Sequence, residues 1–295
     1  LQHYGNCRSG TRGVISLRNL TFIATSDVLN QAACFRRAFM DKTAVWNVAV
    51  SECNSIDEAE HALEGNEHAF IVAPAYRSLL FQQAHALGAS SKLSQGADLR
   101  YRGGSSTITI SQLSRSLVDY LEETFIPIYG AKVVIFGSGS AALDFAYESC
   151  RAGVDQVTIL DSDKKIAEEN LSTFLDSFAK NRMSILDTEQ AKLGHLSATR
   201  AYDHTDFAYG SLQSTNAISQ ADIVVSFLKN KDFKEDSFKC LSSSQIVCDP
   251  WGRSPNLTFA ANEIGCDLVS SSTFMKYWGT ACANLLIEFG NAGVR

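Results

Sequence analysis

The sequence contains no apolar run approaching the ~20 residues that a membrane-spanning helix needs, so no helical anchor is expected. It has no surplus of positive charge. Its 26 Lys and Arg against 32 Asp and Glu leave a net charge of −6, a poor balance for gripping a nucleic-acid backbone. The eight cysteines form no C-x-x-C pair, and several fall in apolar stretches, where Cys behaves as a small buried hydrophobe. Reduced thiols in an intracellular protein are the expectation. The histidines (His3, His61, His68, His85, His195 and His204) show no metal-ligand spacing, and His85 is expected late in a helix. Low-complexity tracts, charge blocks and internal repeats are absent, and no secretory leader is visible. The chain starts at Leu1 rather than Met, which suggests a piece of something longer.

What is present is enough apolar sequence for a large core. At 295 residues and 45% hydrophobic content, about two domains are expected.

The most informative stretch is VVIFGSGSAALDF (133–145). Val133 to Phe136 reads as a buried strand, followed by a glycine turn and a helix with Ala141, Ala142, Phe145 and Ala146 on its apolar side. The turn fits G-x-G-x-x-A. Gly137 makes the tight turn, Gly139 admits a pyrophosphate, and Ala142 lets helix pack on strand. A second strand, QVTIL (156–160), ends on Asp161, about where a ribose-binding acid belongs, and a carboxylate there favours NAD over NADP. Gly137, Ser138, Gly139, Ser140, Ala142 and Asp161 are therefore the candidate cofactor residues. Two readings stay open: a working NAD site, or a glycine loop kept for packing alone.

Alternating strand and helix signals frame this motif. Residues 1–19, rich in Gly, read as a lead-in. Strands are expected at 20–25, 44–50 and 69–74, with helices at 30–41, from the capping box Ser55–Glu58, and from Pro74 to about Gly88. This order implies a mostly parallel α/β unit. Residues 89–106 are polar, with a short strand around Asp98–Arg102. A helix from Ser111 leads into strands at 132–136, 156–160, 221–228, 244–249 and 266–271, with a helix at 163–180 and a polar stretch at 181–220. An apolar helix closes the chain at 279–289.

In order and spacing, four stretches resemble the shikimate dehydrogenase family: KVVIFGSGSAALDFAY, ADIVVSFL, QIVCDPWGRSP and GTACANLLIEF. The resemblance implies an α/β fold of two units. A substrate-domain-like unit would span 20–112 and take back the C-terminal helix (279–295), and a Rossmann-type parallel sheet would span 113–278. The family's substrate-binding serine pair falls in ATSDVLNQAACF, which keeps at most Thr25 and Ser26. Its catalytic lysine, after a proline, falls on Tyr76 in IVAPAYR, with Arg77 next. Its asparagine falls near Asp98, its catalytic aspartate on Ser111, and its late glutamine on Asn284, five residues after the matching Gly279.

Interconverting a ring alcohol and ketone needs a proton carrier beside the carbon that exchanges hydride, worth ~10²–10⁴-fold. Tyrosine with a pKa near ~10, serine, and a guanidinium that does not deprotonate are poor substitutes for lysine and aspartate. The resemblance thus implies a family member without its acid–base pair. The shikimate-dehydrogenase-like terminal domains of fungal quinate repressors are of this kind. Such a chain would act in the nucleus or cytoplasm on a quinate-pathway small molecule, the pathway activator, or both. It would use a cleft that gathers Tyr76, Arg77, Asp98, Ser111, Gly279 and Asn284, without touching DNA or membrane. The alternative is an active NAD-dependent dehydrogenase, with Tyr76 as proton donor and Arg77 pairing a substrate carboxylate.

Overall fold

The computed structural model describes residues 17–103, 106–125, 128–180, 203–233 and 238–292, the side chains of 179–180 and 291–292 excepted. Most of the expected lead-in, and 181–202 of the polar stretch, lie outside these residues. No helix among the described residues is long and apolar enough to cross a membrane, and no group of three or more of their His, Cys, Asp or Glu side chains could hold a metal.

The first sheet is built from β1 (Arg18–Ala24), β2 (Trp46–Glu52), β3 (Ala69–Val72), β4 (Ala86–Leu87), β5 (Leu99–Gly103) and β6 (Ser106–Ile110), in the order β2-β1-β3-β5-β6-β4. The helices α1 (Leu29–Lys42), α2 (Ile56–Leu63), α3 (Arg77–Gln82) and α4 (Ala89–Ser94) connect these strands. Apolar β1 from Leu20 onward and all of β3 are buried, as central strands covered on both faces must be. In α1, Ala32, Phe35 and Phe39 recur at the three-to-four-residue spacing of a buried stripe. At the start of α2, Ser55 accepts from Glu58 N at 3.2 Å, while the Glu58 carboxylate reaches back to Asn54 N at 2.8 Å. The reciprocal half of that cap thus sits one residue earlier than a standard capping box.

Three expectations change here. The sheet is mixed rather than mostly parallel, because β5 runs antiparallel to both β3 and β6. The helix after Pro74 stops at Gln82, and Ala86–Leu87 pairs with β6, so His85 lies in a bend. Tertiary pairing overrides the helical propensity of this stretch. The polar run 89–106, where only a strand around Asp98–Arg102 is expected, also holds α4 and the first residue of β6, which meets β5 through Thr107 and Thr109.

A linking helix, α5 (Gln112–Thr124), leads to the second sheet. Its strands are β7 (Lys132–Phe136), β8 (Gln156–Asp161), β9 (Asp206–Ser211), β10 (Ile223–Ser226), β11 (Ile246–Cys248) and β12 (Asp267–Val269). Every pairing is parallel, in the order β12-β11-β10-β7-β8-β9. This is the doubly wound order, with its crevice where β7 and β10 part. The accompanying helices are α6 (Ser140–Arg151), α7 (Lys164–Lys180), α8 (Thr215–Ser219), α9 (Pro255–Ile264) and α10 (Ser271–Ala292). The last helix begins at Ser271, eight residues before the start expected from the apolar run at Gly279, because Phe274, Met275 and Trp278 already pack inward.

Helix α10 returns to α1. A Cβ on Gly279 would stand 2.5 Å from the Phe35 carbonyl oxygen and 3.3 Å from Ala38 Cβ. That glycine sets how closely two helices approach. Gly279→Ala is expected to push them apart and to cost about 1–3 kcal/mol, read as a lower urea midpoint.

Candidate functional site

The glycine loop leaves β7 at the crevice. Gly137 stands at φ +104, a left-handed conformation suited to glycine, and a Cβ there would meet Leu228 Cδ2 at 3.3 Å. Gly139, the cap of α6, has nothing within 4 Å of where its Cβ would be. An open cap residue at the start of a 12-residue helix fits a pyrophosphate, and buried Ala142 packs the helix close. Asp161 ends β8 as expected, but both of its carboxylate oxygens already have donors. Ser138 Oγ donates to Oδ2 at 2.7 Å, and Ser162 N and Oγ donate to Oδ1 at 2.7 and 3.1 Å. Asn170 Nδ2 holds Ser138 in turn, through its carbonyl at 3.1 Å and its hydroxyl at 3.0 Å. A ribose on Asp161 would have to share the carboxylate with Ser138.

A second cluster fills the boundary between the two sheets. Arg77, at the start of α3, is only 2% exposed. Its Nη1 donates to Asp98 Oδ2 at 2.6 Å, its Nε to Ser140 Oγ at 3.1 Å, and its Nη2 to Ser111 Oγ at 3.0 Å and to Asp144 Oδ2. Asp98 Oδ1 accepts from Gln112 N at 2.8 Å, so it also caps α5. Asp144, on α6, is fully buried. Ser94 Oγ donates to its Oδ1 at 2.8 Å and Ser111 Oγ to its Oδ2 at 2.6 Å. With its one proton committed to Asp144, the Ser111 hydroxyl accepts from Ser91 Oγ at 3.0 Å. Burial pushes the Asp98 carboxyl above its usual range, against the opposing pull of Arg77 and the α5 N–H groups.

Gly96 makes this closeness feasible. Gln95 ends α4 in the left-handed region at φ 55, turning the next residue onto α6. A Cβ on Gly96 would lie 2.5 Å from Ser140 Oγ.

Of the six expected cleft residues, Arg77, Asp98 and Ser111 come together. Tyr76 is their chain neighbour, but its hydroxyl turns away and donates to Cys53 O at 2.5 Å; burial raises its pKa. Gly279 faces α1, and Asn284 is exposed on the far side of α10, so neither joins the cluster. Helix α10 faces it through Cys282, whose thiol is driven well up by burial and then by the Asp98 charge.

Asp144, Ser91, Ser94 and Gly96 are additional members. The overlooked signal was in the glycine helix itself, where Asp144 and Glu148 interrupt the face carrying Ala141 and Phe145 at helical spacing. Glu148 is buried and pushed up to about 7, first by burial, with Asp119 adding to it and Arg115 opposing. It holds Arg151 Nη2 at 2.8 Å. A carboxyl whose folded pKa lies above its unfolded value binds its proton more tightly in the native state. Its penalty therefore grows as pH rises from about 4.5 to about 7. Glu148→Gln is expected to match the parent near the lower bound and to exceed it by on the order of 2 kcal/mol above neutrality, measured by denaturation at several pH values.

A second link joins the sheets where the family's serine pair would lie. Asp27 meets Lys229 Nζ at 3.1 Å and Arg253 Nε at 3.2 Å. Partial burial opposes its ionisation, but the Thr25 hydroxyl, Lys229 and Arg253 outweigh it and hold the carboxyl below its usual range.

A mixed α/β unit stands beside a Rossmann-type parallel sheet, with a glycine loop at the crevice. Among solved structures this is the architecture of the shikimate and quinate dehydrogenases. Shikimate 5-dehydrogenase from Listeria monocytogenes, in complex with shikimate and NAD, superposes with a TM-score of 0.68 at 15% identity, covering 92% of each chain. Shikimate dehydrogenase from Aquifex aeolicus gives 0.69 at 12% identity, over 95% of this chain and 98% of its own. Quinate dehydrogenase from Corynebacterium glutamicum, in complex with NAD, gives 0.66 at 13% identity, over 92% and 94%. No family model matches the sequence, and no curated protein does. At these identities the likeness establishes the fold.

Proposed function

We propose that this chain is a non-catalytic binding domain on the shikimate dehydrogenase fold, serving in the repression of quinate utilisation. It would sense a quinate-pathway small molecule, hold the pathway's activator protein, or both. The observation that carries the reading is the buried network of Arg77, Asp98, Ser111 and Asp144, which occupies the boundary between the two sheets with the chain's own side chains.

The cofactor loop supports binding more than turnover. Gly137, Ser138, Gly139 and Ser140 suit a pyrophosphate, and Asp161 favours NAD over NADP. A bound nicotinamide would exchange hydride. Among the chain's own residues, the Arg77 guanidinium is a poor proton carrier, and the Tyr76 hydroxyl is spent on Cys53 O. The competing reading, an active NAD-dependent dehydrogenase on an altered substrate, is favoured by the open cap at Gly139 and by two fold neighbours solved with NAD.

A thermal-shift and calorimetric screen with NAD, NADP, quinate, shikimate and dehydroshikimate tests the binding claim, because a native-state ligand raises stability by RT ln(1 + [L]/Kd). The expected result is stabilisation by at least one pathway acid, with NAD binding more tightly than NADP. Co-retention of the activator, released by that acid, would support the regulatory role. Indifference to every ligand and to the activator would defeat it.

A further inference from the structure

The contacts around Asp144 have the form of a ligand complex. Its carboxylate receives Ser94 Oγ on one oxygen, and Ser111 Oγ and Arg77 Nη2 on the other. All three donors belong to the first unit, whereas Asp144 belongs to α6 of the second. Arg77 does not need Asp144 for neutrality. Its Nη1 already pairs with Asp98, itself held by Gln112 N and Leu113 N. Asp144 is therefore a second carboxylate on one guanidinium in a fully buried site. A buried pair adds little net stability after desolvation, so a second carboxylate is a costly way to build a strut.

We infer that Ser94, Ser111 and the Nη2 edge of Arg77 form a carboxylate-binding site, and that Asp144 is its built-in occupant. The inference rests on the reading of this boundary as a binding site and says how the site is regulated. A small molecule bearing a carboxylate competes with Asp144 for the same three donors. Displacing Asp144 removes the ties of α6 to Arg77, Ser94 and Ser111, so ligand binding and loosening of this part of the boundary become one event. Ser140, which accepts from Arg77 Nε at 3.1 Å and touches the Gly96 turn, is released in the same step. The glycine loop preceding α6 is thereby coupled to the carboxylate site.

Chemical rescue tests this. Asp144→Ala leaves the three donors without their acceptor, and acetate can supply a free carboxylate. The midpoint temperature is followed against sodium acetate, with sodium chloride at equal ionic strength as reference. The expected result is a saturable, acetate-specific rise of about 2–4 °C in Asp144→Ala, absent from the parent chain and from Asp144→Asn, where the site stays filled. Adding Arg77→Met to Asp144→Ala should abolish it. If Asp144→Ala does not fold alone, refolding yield in acetate against chloride becomes the readout, with Asp144→Asn as the folded control.

A folded Asp144→Ala chain that treats acetate and chloride alike overturns the inference and makes Asp144 a strut, as does refolding with no acetate preference. An equal acetate response in the parent would also overturn it, since the site would then be open. None of these outcomes touches the wider binding proposal, which is decided by the ligand screen on the unaltered chain.

Discussion

Replacing Arg77 by methionine is expected to lower the free energy of unfolding by about 3–5 kcal/mol, the cost of breaking a buried pair by removing one partner. Methionine fills much of the volume, so the loss would be electrostatic rather than a cavity. Asp98 would keep its α5 N–H donors, and Asp144 its two serine hydroxyls, but two carboxylates would share a buried site with no cation. Burial already raises the Asp98 carboxyl, and losing its cation would raise it further. Carboxyls raised in the native state destabilise progressively as pH rises, so the deficit should be smaller near pH ~5 than near pH ~8. Arg77→Met with Asp144→Asn removes one charge and should recover part of the loss. Urea titrations at the two pH values measure all of this, and a pH-independent deficit would mean that packing, not charge, was lost.

A comparable loss, about 3–5 kcal/mol, is expected for Trp278→Ala. Trp278 is fully buried, with its ring centroid 4.9 Å from that of Phe35, 5.9 Å from Phe22 and 5.6 Å from Trp251. Phe22 and Phe35 come from β1 and α1, whereas Trp251 comes from the turn after β11. The cluster thus fastens α10 and the second sheet's turn to the first unit. Gly252, at φ +64, lets that turn close against Gln31 and Ser271. The Trp278 indole N–H has no hydrogen-bond partner among the described residues. Trp278→Phe keeps a ring without that orphaned donor and should cost less than half as much as alanine. Similar losses for phenylalanine and alanine would show that the indole itself is required.

Much of the fold was legible because its strands advertise themselves. VVIF, QVTIL and ADIVV are short apolar runs bounded by turn residues, and each became a buried parallel strand. Where side chains were polar, the pattern failed. Strand β6 reads STITI and alternates β-branched Thr and Ile, but it is partly exposed and follows a Ser- and Gly-rich run that masks it; its partner β5 pairs with it along its length. The candidate site was legible in half. Arg77, Asp98 and Ser111 could be found from motif positions, whereas Asp144 was passed over although it and Glu148 interrupt the apolar face of α6. Gly279 and Asn284 were misplaced for a related reason. Matching a motif's register says nothing about helix rotation, and α10 turns Cys282 rather than either of them toward Asp98.

The central claim is that this cleft binds without turning over. Its most direct test is the rate of nicotinamide reduction by the purified chain, with shikimate or quinate and NAD or NADP, in samples where ligand binding is measured in parallel. The account predicts binding with no rate above the protein-free background, unchanged by Tyr76→Phe. Turnover by the parent chain that disappears in Tyr76→Phe would contradict it and make the protein a dehydrogenase with a tyrosine proton carrier.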